Sequence, residues 1–261
     1  MSVEEFEAME HPFGWKAEYY SGQGHLTPRE HLVRTQLTLL PQAVTAAERS
    51  APVEPSLTEK MTQAFCEAFQ DSVEFCNWSM DEIQTHAAKN VNNYFQGVRG
   101  QPHPVSRVVI EPSSNEQIVG VALFVKKEEK QIELDLLLVR PSYQRMGIAT
   151  GMVASAIDSL YADGVRELRS GYHICNEGSR AWHHSLGFKD VPDYLYCRFK
   201  AGWYRHRIWR YEKLGDLGSI EELRVERDRW ERLSEELLLA RLEEARANDS
   251  ATVRASNRVV E

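Results

Sequence analysis

Three groups of residues in this chain could do chemistry. Glu133 and Asp135 stand two apart in QIELDLLLVRP. The two-residue period of a strand turns both carboxylates to one face, opposite Leu134 and Leu136. Either is a candidate general base. His183, in NEGSRAWHHSLGF, carries an imidazole whose ordinary pKa near ~6.5 suits proton transfer in either direction. Tyr194 and Tyr196 offer phenols as alternative acids. Between these groups lies YQRMGIATG, Tyr143 to Gly151, polar and glycine-bearing between an apolar strand-like run and an apolar, alanine-containing segment.

That last stretch reads as strand, loop and helix. The first turn of a helix has unpaired N–H groups, and its dipole favours an anion there. Gly147 and the small Ala149 let a phosphate approach the backbone, Gln144 and Arg145 add donors, and the Thr150 hydroxyl sits one turn further in. The stretch has neither the lysine-bearing phosphate loop of nucleotide hydrolases nor the GxGxxG of dinucleotide folds.

The elements that must position these residues follow from the patterning. KAEYY and His25–Thr27 flank SGQG, a hairpin with a glycine turn. Val33, Thr35, Leu37 and Leu39 alternate as a strand ended by Pro41, and AAERSAPVEPS follows as a linker. Ser56 with Glu59 reads as a capping box opening a helix whose Leu57, Met61, Phe65 and Phe69 share a face. Ser79 with Glu82 opens a second helix, running to Phe95. SRVVIEP, QIVGVALFVKK and QIELDLLLVRP are three strands on tight connections, hence antiparallel neighbours. The helix after YQRMGIATG runs to about Ala162, VRELRSGYHI is a strand, NEGSRAWHHSLGF is a helix ending at Gly187, and DYLYCRFK alternates as a last strand. The tail, SIEELRVERDRWERLSEELLLARLEEARA, places Leu223, Trp230 and Leu237 seven apart with Leu233 and Ala240 in the seam. It suits either an amphipathic helix packed on its own domain or a dimerising one.

Composition bounds the function. The 261 residues are 42% hydrophobic and 27% charged, with a formal net charge of -8. That balance argues against a nucleic-acid surface, since phosphate contacts need Lys and Arg. The four cysteines form no CxxC pair and suit reduced thiols, and the adjacent His183 and His184 cannot both face one metal. The acidic start, MSVEEFEAMEHPFGW, is no signal peptide, and no run has the ~18 apolar residues of a membrane span. The expectation is a cytoplasmic protein without metal or membrane partner.

Val139 and Pro141, then Gln144, Gly147 and Ala149, then Asn176, Leu186, Gly187 and Phe188 together resemble the GNAT superfamily of acetyl-CoA-dependent N-acetyltransferases. The family shows V-x-P, then Q/R-x-x-G-x-G/A, then an asparagine-led helix ending in L-G-F. The resemblance covers roughly residues 51 to 200. It implies an α/β fold with a mixed, twisted, mostly antiparallel sheet flanked by helices, whose fourth and fifth core strands splay apart. The pantetheine arm of acetyl-CoA would lie in that gap against the main chain of Leu138 and Val139. Its pyrophosphate would sit on the amides of Gln144, Arg145, Met146, Gly147, Ile148, Ala149 and Thr150. Asn176 would touch the pantetheine region while also capping its helix. The family often places a carboxylate base where Glu133 and Asp135 stand. It commonly has a tyrosine acid where this chain has His183, a departure that leaves His183 as proton donor or as cofactor contact, with Tyr196 as alternative acid.

The expected organisation is an N-terminal extension over 1–50, a GNAT core over 51–200 and a C-terminal helical extension over 201–261. The expected reaction is direct attack of a primary amine, of a small molecule or peptide, on the acetyl-CoA thioester. Two alternatives accompany it: a catalytically silent CoA sensor, favoured by the absent tyrosine, and a toxin acetylating aminoacyl-tRNA, for which RFKAGWYRHRIWR is the one basic, aromatic run. A homodimer through the C-terminal helix is one reading of that seam, beside packing on its own domain.

Overall fold

The computed structural model describes residues 1–40, 50–111, 116–128, 130–215, 218 and 220–257, with 247–257 described by backbone alone. In chain order the elements are α1 (Val3–Ala8), β1 (Trp15–Tyr20), β2 (Gln23–Pro28), β3 (Leu32–Thr38), β4 (Ser50–Pro52), α2 (Thr58–Phe69), α3 (Met80–Phe95), β5 (Gln101–Pro102), β6 (Arg107–Ile110), β7 (Ile118–Glu128), β8 (Gln131–Val139), α4 (Ile148–Ala162), β9 (Glu167–His173), α5 (Glu177–Ser185), β10 (Lys189–Val191), α6 (Tyr194–Leu214) and α7 (Ile220–Asn257). The chain divides into two compact units, residues 32–191 and residues 1–31 with 192–261. Among the described residues no helix is long and apolar enough to cross a membrane.

The unit of 32–191 is built on one sheet of order β10-β3-β9-β8-β7-β6-β4, with β5 added beside β7. Every pairing is antiparallel except β8 with β9. Strand β7 is buried from Ile118 through Val125, which is why its sequence is an unbroken apolar run rather than an alternation. Val119, Ala122 and Phe124 pack against Met152, Val153, Ala156 and Ile157 of α4. Val121, Leu123 and Val125 pack against Met61 and Phe65 of α2 and Ile83, Ala87 and Val91 of α3. Helix α3 begins as its sequence predicts: the Glu82 amide donates to Ser79 Oγ at 3.3 Å and the Ser79 amide donates to Glu82 Oε2 at 2.7 Å.

Three local expectations are corrected. Ser56 does not cap α2: Pro55 opens a 3-10 turn over Pro55–Leu57, the Ser56 hydroxyl donates to Glu54 at 3.4 Å, and α2 starts at Thr58. The segment read as a linker contains β4, an edge strand on β6, a position that tolerates Pro52. DYLYCRFK is the start of helix α6. Asp193 caps it by accepting from the Tyr196 amide at 2.8 Å, and the buried set Tyr196, Cys197, Ala201 and Ile208 follows a helical, not a two-residue, period. The sheet's last strand is the three-residue β10 instead. Pro41 and most of the SSNE turn lie outside the described residues.

In the other unit, β1 and β2 form the expected hairpin. Its turn residues Ser21 and Gly22 both have positive φ, 53° and 79°, the combination that matches strand twist in two-residue turns. Helix α7 packs along α6, with Trp230 edge-on to the Tyr196 ring and Arg205 paired to Glu231 at 2.6 Å. Leu223, Trp230, Leu233 and Leu237 of the heptad seam are partly buried there, while Ala240 is exposed. Three cations of RFKAGWYRHRIWR are engaged within this unit as follows: Lys200 lies 4.0 Å from the Phe13 ring centre, Arg207 4.7 Å from that of Trp203, and the Arg210 guanidinium donates to the Ala8 carbonyl at 2.7 Å. All four cysteines are free, and Cys175 and Cys197 are buried. Burial pushes the Cys197 thiol up to about 11.

Candidate active site

The parallel pairing of β8 with β9 stops almost at once. Ile132 faces Leu168 and Glu133 faces Arg169, and beyond them β8 has no ladder partner on that side among the described residues. Strand β9 meanwhile stays paired with β3 from Glu167 to His173. The two strands therefore part toward their C-terminal ends, leaving the backbone edge from Leu134 to Val139 facing an opening. The Ser170 hydroxyl reaches across its closed end to the Leu134 carbonyl at 3.4 Å. A bulge sits at the same point: Phe124 pairs with Leu134 and Leu123 with Leu136, so Asp135 is the extra residue. The bulge switches the phase of β8. Ile132 and Leu134 face the α4 layer, and after it Leu137 and Val139 do, while Leu136 and Leu138 join the α2–α3 layer.

At the open end of β8 a 3-10 turn over Pro141–Tyr143 leads into α4. Arg145 and Gly147 both have positive φ, 62° and 78°, so the loop alternates hand and turns successive amides the same way. The Gln144 amide donates to Pro141 O at 3.2 Å and the Gly151 amide to Gly147 O at 2.8 Å. Among the described residues the six amides between them, Arg145 to Thr150, have no protein acceptor. Gln144 Nε2 donates to Val139 O at 3.2 Å, and Trp182 Nε1 to Thr150 Oγ1 at 3.2 Å, which ties α5 to the first turn of α4. A concave set of free amides at a helix N-terminus suits a phosphate-bearing ligand.

Gly120 of β7, paired with Val139, holds this turn close to the sheet. A Cβ there would lie 2.9 Å from Ile148 Cγ2 and 3.1 Å from Met152 Cε. Ile148 is the first residue of α4, so Gly120→Ala is expected to push the turn outward. It should destabilise the fold by about 1–3 kcal/mol and weaken binding of a phosphate-bearing ligand. Urea unfolding and ligand calorimetry on one preparation measure both effects.

The candidate side chains divide. The Asp135 side chain, 6% exposed, is bound by Arg99 through Nε at 2.8 Å and Nη2 at 2.6 Å. Arg99 Nη2 also donates to Asn90 Oδ1 at 3.0 Å. The neighbouring acid, Glu133, is one-third exposed with Lys127 at 3.6 Å. His183 is buried against Tyr172, Trp182 and Phe188. Its Nδ1 lies 2.8 Å from the Ser179 carbonyl, which can only accept, so Nδ1 carries the proton and Nε2, 2.9 Å from Ser170 Oγ, accepts. Burial holds this imidazole below its ordinary pKa, hence neutral at pH 7. Asn176 caps α5, Oδ1 accepting from the Ser179 amide at 2.8 Å. Tyr196 lies on α6 in the other unit, its ring edge-on to Phe13 and Trp230. Leu138 is buried and Val139 half-buried on β8, and Met146 is 67% exposed in the loop.

One residue here escaped the sequence reading. Glu74, in a 3-10 turn over Val73–Phe75, accepts from Asn176 Nδ2 at 2.6 Å, 102 residues away in the chain. Nothing local to VEFC signals that contact. Asn176 as a helix-opening residue beside the opening was the half that could be seen.

The sequence profile of the Acetyltransferase (GNAT) family matches residues 60–188. No curated protein sequence matches the chain. A GCN5-related N-acetyltransferase from Sphaerobacter thermophilus is similar over 61% of this chain at 18% identity and a TM-score of 0.43; the match covers 48% of that protein, so this chain spans about half its length. A PaiA N-acetyltransferase from Thermoplasma acidophilum, solved in complex with coenzyme A, is similar over 56% of this chain and 91% of its own, at 15% identity and a TM-score of 0.45. The ribosomal-protein-S18-alanine N-acetyltransferase from Escherichia coli is similar over 55% and 78%, at 22% identity and a TM-score of 0.40.

Proposed function

We propose that this chain, which belongs to the GNAT family of acetyltransferases through residues 60–188, moves the acetyl group of acetyl-CoA to a primary amine. The observation that carries the reading is the run of free amides from Arg145 to Thr150 beside an unpaired strand edge. The amides would hold the diphosphate, and the Leu138–Val139 main chain would pair with the pantetheine arm. Acetyl-CoA supplies the thioester carbonyl that an amine can attack. The ammonium must first lose a proton, and Glu133, whose nearest cation stands 3.6 Å off, is the carboxylate on β8 free to take it. His183, neutral and donating to Ser179, orients the Ser170 hydroxyl at the closed end of the opening.

A second reading, a silent CoA-binding module, draws on one observation. Asp135 is closed off by Arg99, and both imidazole nitrogens of His183 are engaged within the chain. Thiol release from acetyl-CoA decides between the two, measured with spermidine, tobramycin, lysine and a short peptide. Amine-dependent release is expected. CoA binding without release from any amine would establish the silent module, and absence of CoA binding would remove both.

A further inference from the structure

Beyond the end of β9, Glu74 is only half used. Asn176, which holds its Oε1, stands three residues beyond the end of β9 and opens α5. Glu74 Oε2 is buried and has no partner among the described residues, and the same holds for Ser72 Oγ two residues earlier. A buried carboxylate oxygen without a donor is costly, and a native structure keeps few of them. The turn that carries it is firmly set. Phe75 packs edge-on to Phe69 and Trp78, at 5.7 and 5.0 Å between ring centres.

The chemistry of the missing donor can be read from what remains. One carboxylate oxygen accepts only, and one hydroxyl accepts or donates. The second carboxylate oxygen is taken by Asn176, so the planar two-pronged guanidinium fork is poorly served. A compact ammonium with three N–H donors fits. Among the described residues no three metal-ligating side chains gather, which leaves a metal ion without a coordination set. We propose that Glu74 Oε2 and Ser72 Oγ receive an ammonium group of the acceptor other than the amine that attacks the thioester. This rests on the acetyl-transfer reading above. Asn176 then acts as the residue that fixes Glu74, in addition to capping α5. Later in the chain, Trp78, Asp81, Glu82, Thr85, His86 and Lys89 line an open groove of about 380 Å³, room for the chain that bears the amine.

The test titrates 1,4-diaminobutane by calorimetry into the CoA-saturated protein and its Glu74→Gln and Ser72→Ala variants, with CoA affinity measured on each. Losing the charged acceptor is expected to weaken diamine binding by a factor of about 30 in E74Q, and losing the hydroxyl by about 5 in S72A. The CoA Kd should stay within about twofold throughout. S72A decides the matter if E74Q fails to fold. Diamine binding unchanged in both variants, or no diamine binding by the CoA-saturated wild type, overturns this inference and leaves acetyl transfer standing. A wild type that does not bind CoA sinks the transfer reading, and this inference with it.

Discussion

Gly147→Trp is expected to raise the Kd for CoA at least about a hundredfold, while Gly147→Ala changes it only slightly. Gly147 is the residue before α4, with φ 78° and ψ 1°. Any other residue pays about 1 kcal/mol for that conformation, so both variants carry the same strain. They differ in reach. A Cβ built at 147 meets nothing within 4 Å, so a side chain there enters open space beside the turn. A methyl leaves most of that space, whereas an indole fills it. Displacing the ligand from two charge-assisted hydrogen bonds, each worth roughly 1.5–3 kcal/mol, gives a hundredfold or more. Calorimetry with CoA measures the two constants, and matched melting temperatures of the variants show that strain is common to them. Equal affinity in wild type and Gly147→Trp would mean that the amides hold no phosphate.

Why the turn and helix around Gly147 were readable when their surroundings were not is a matter of range. Gly147, Ala149 and the strand before them act within a dozen residues, and the rules for helix starts and positive φ are local. The capping box at Ser79 and the hairpin turn at Ser21–Gly22 were legible for the same reason. Ser56 shows where a local rule yields to a nearer competitor, because Pro55 and Glu54 engage it first. In DYLYCRFK an alternation over eight residues predicts a strand, although its first residue, Asp193, is a good helix cap. Two periods fit so short a window, and burial chose the helical one. The fate of the carboxylates depends on contacts 36 and 102 residues distant, Asp135 with Arg99 and Glu74 with Asn176. The bulge at Asp135 changes the phase of β8 beyond it. No pattern within one strand reports any of these.

Arg99→Leu is expected to cost about 3–5 kcal/mol of stability, the usual result of leaving one partner of a buried pair alone. Asp135 is the more buried partner, 6% exposed against 27% for Arg99, so it bears the desolvation. The pair also links β8 at its bulge to Asn90 of α3 through the Asn90 carbonyl and amide oxygens. Removing both charges together, Arg99→Leu with Asp135→Leu, should recover most of the loss, because an apolar pair carries no uncompensated charge. Urea unfolding of the two single variants and the double variant measures the coupling. The same residues separate a structural acid from a catalytic one. If Asp135 serves the fold, Asp135→Asn assayed well below its melting point keeps turnover within about tenfold of wild type, while Glu133→Gln loses the ~100-fold or more that a general base contributes. The reverse pattern, with turnover lost in Asp135→Asn and kept in Glu133→Gln, would make the acid held by Arg99 the proton acceptor and require Arg99 to release it during the reaction.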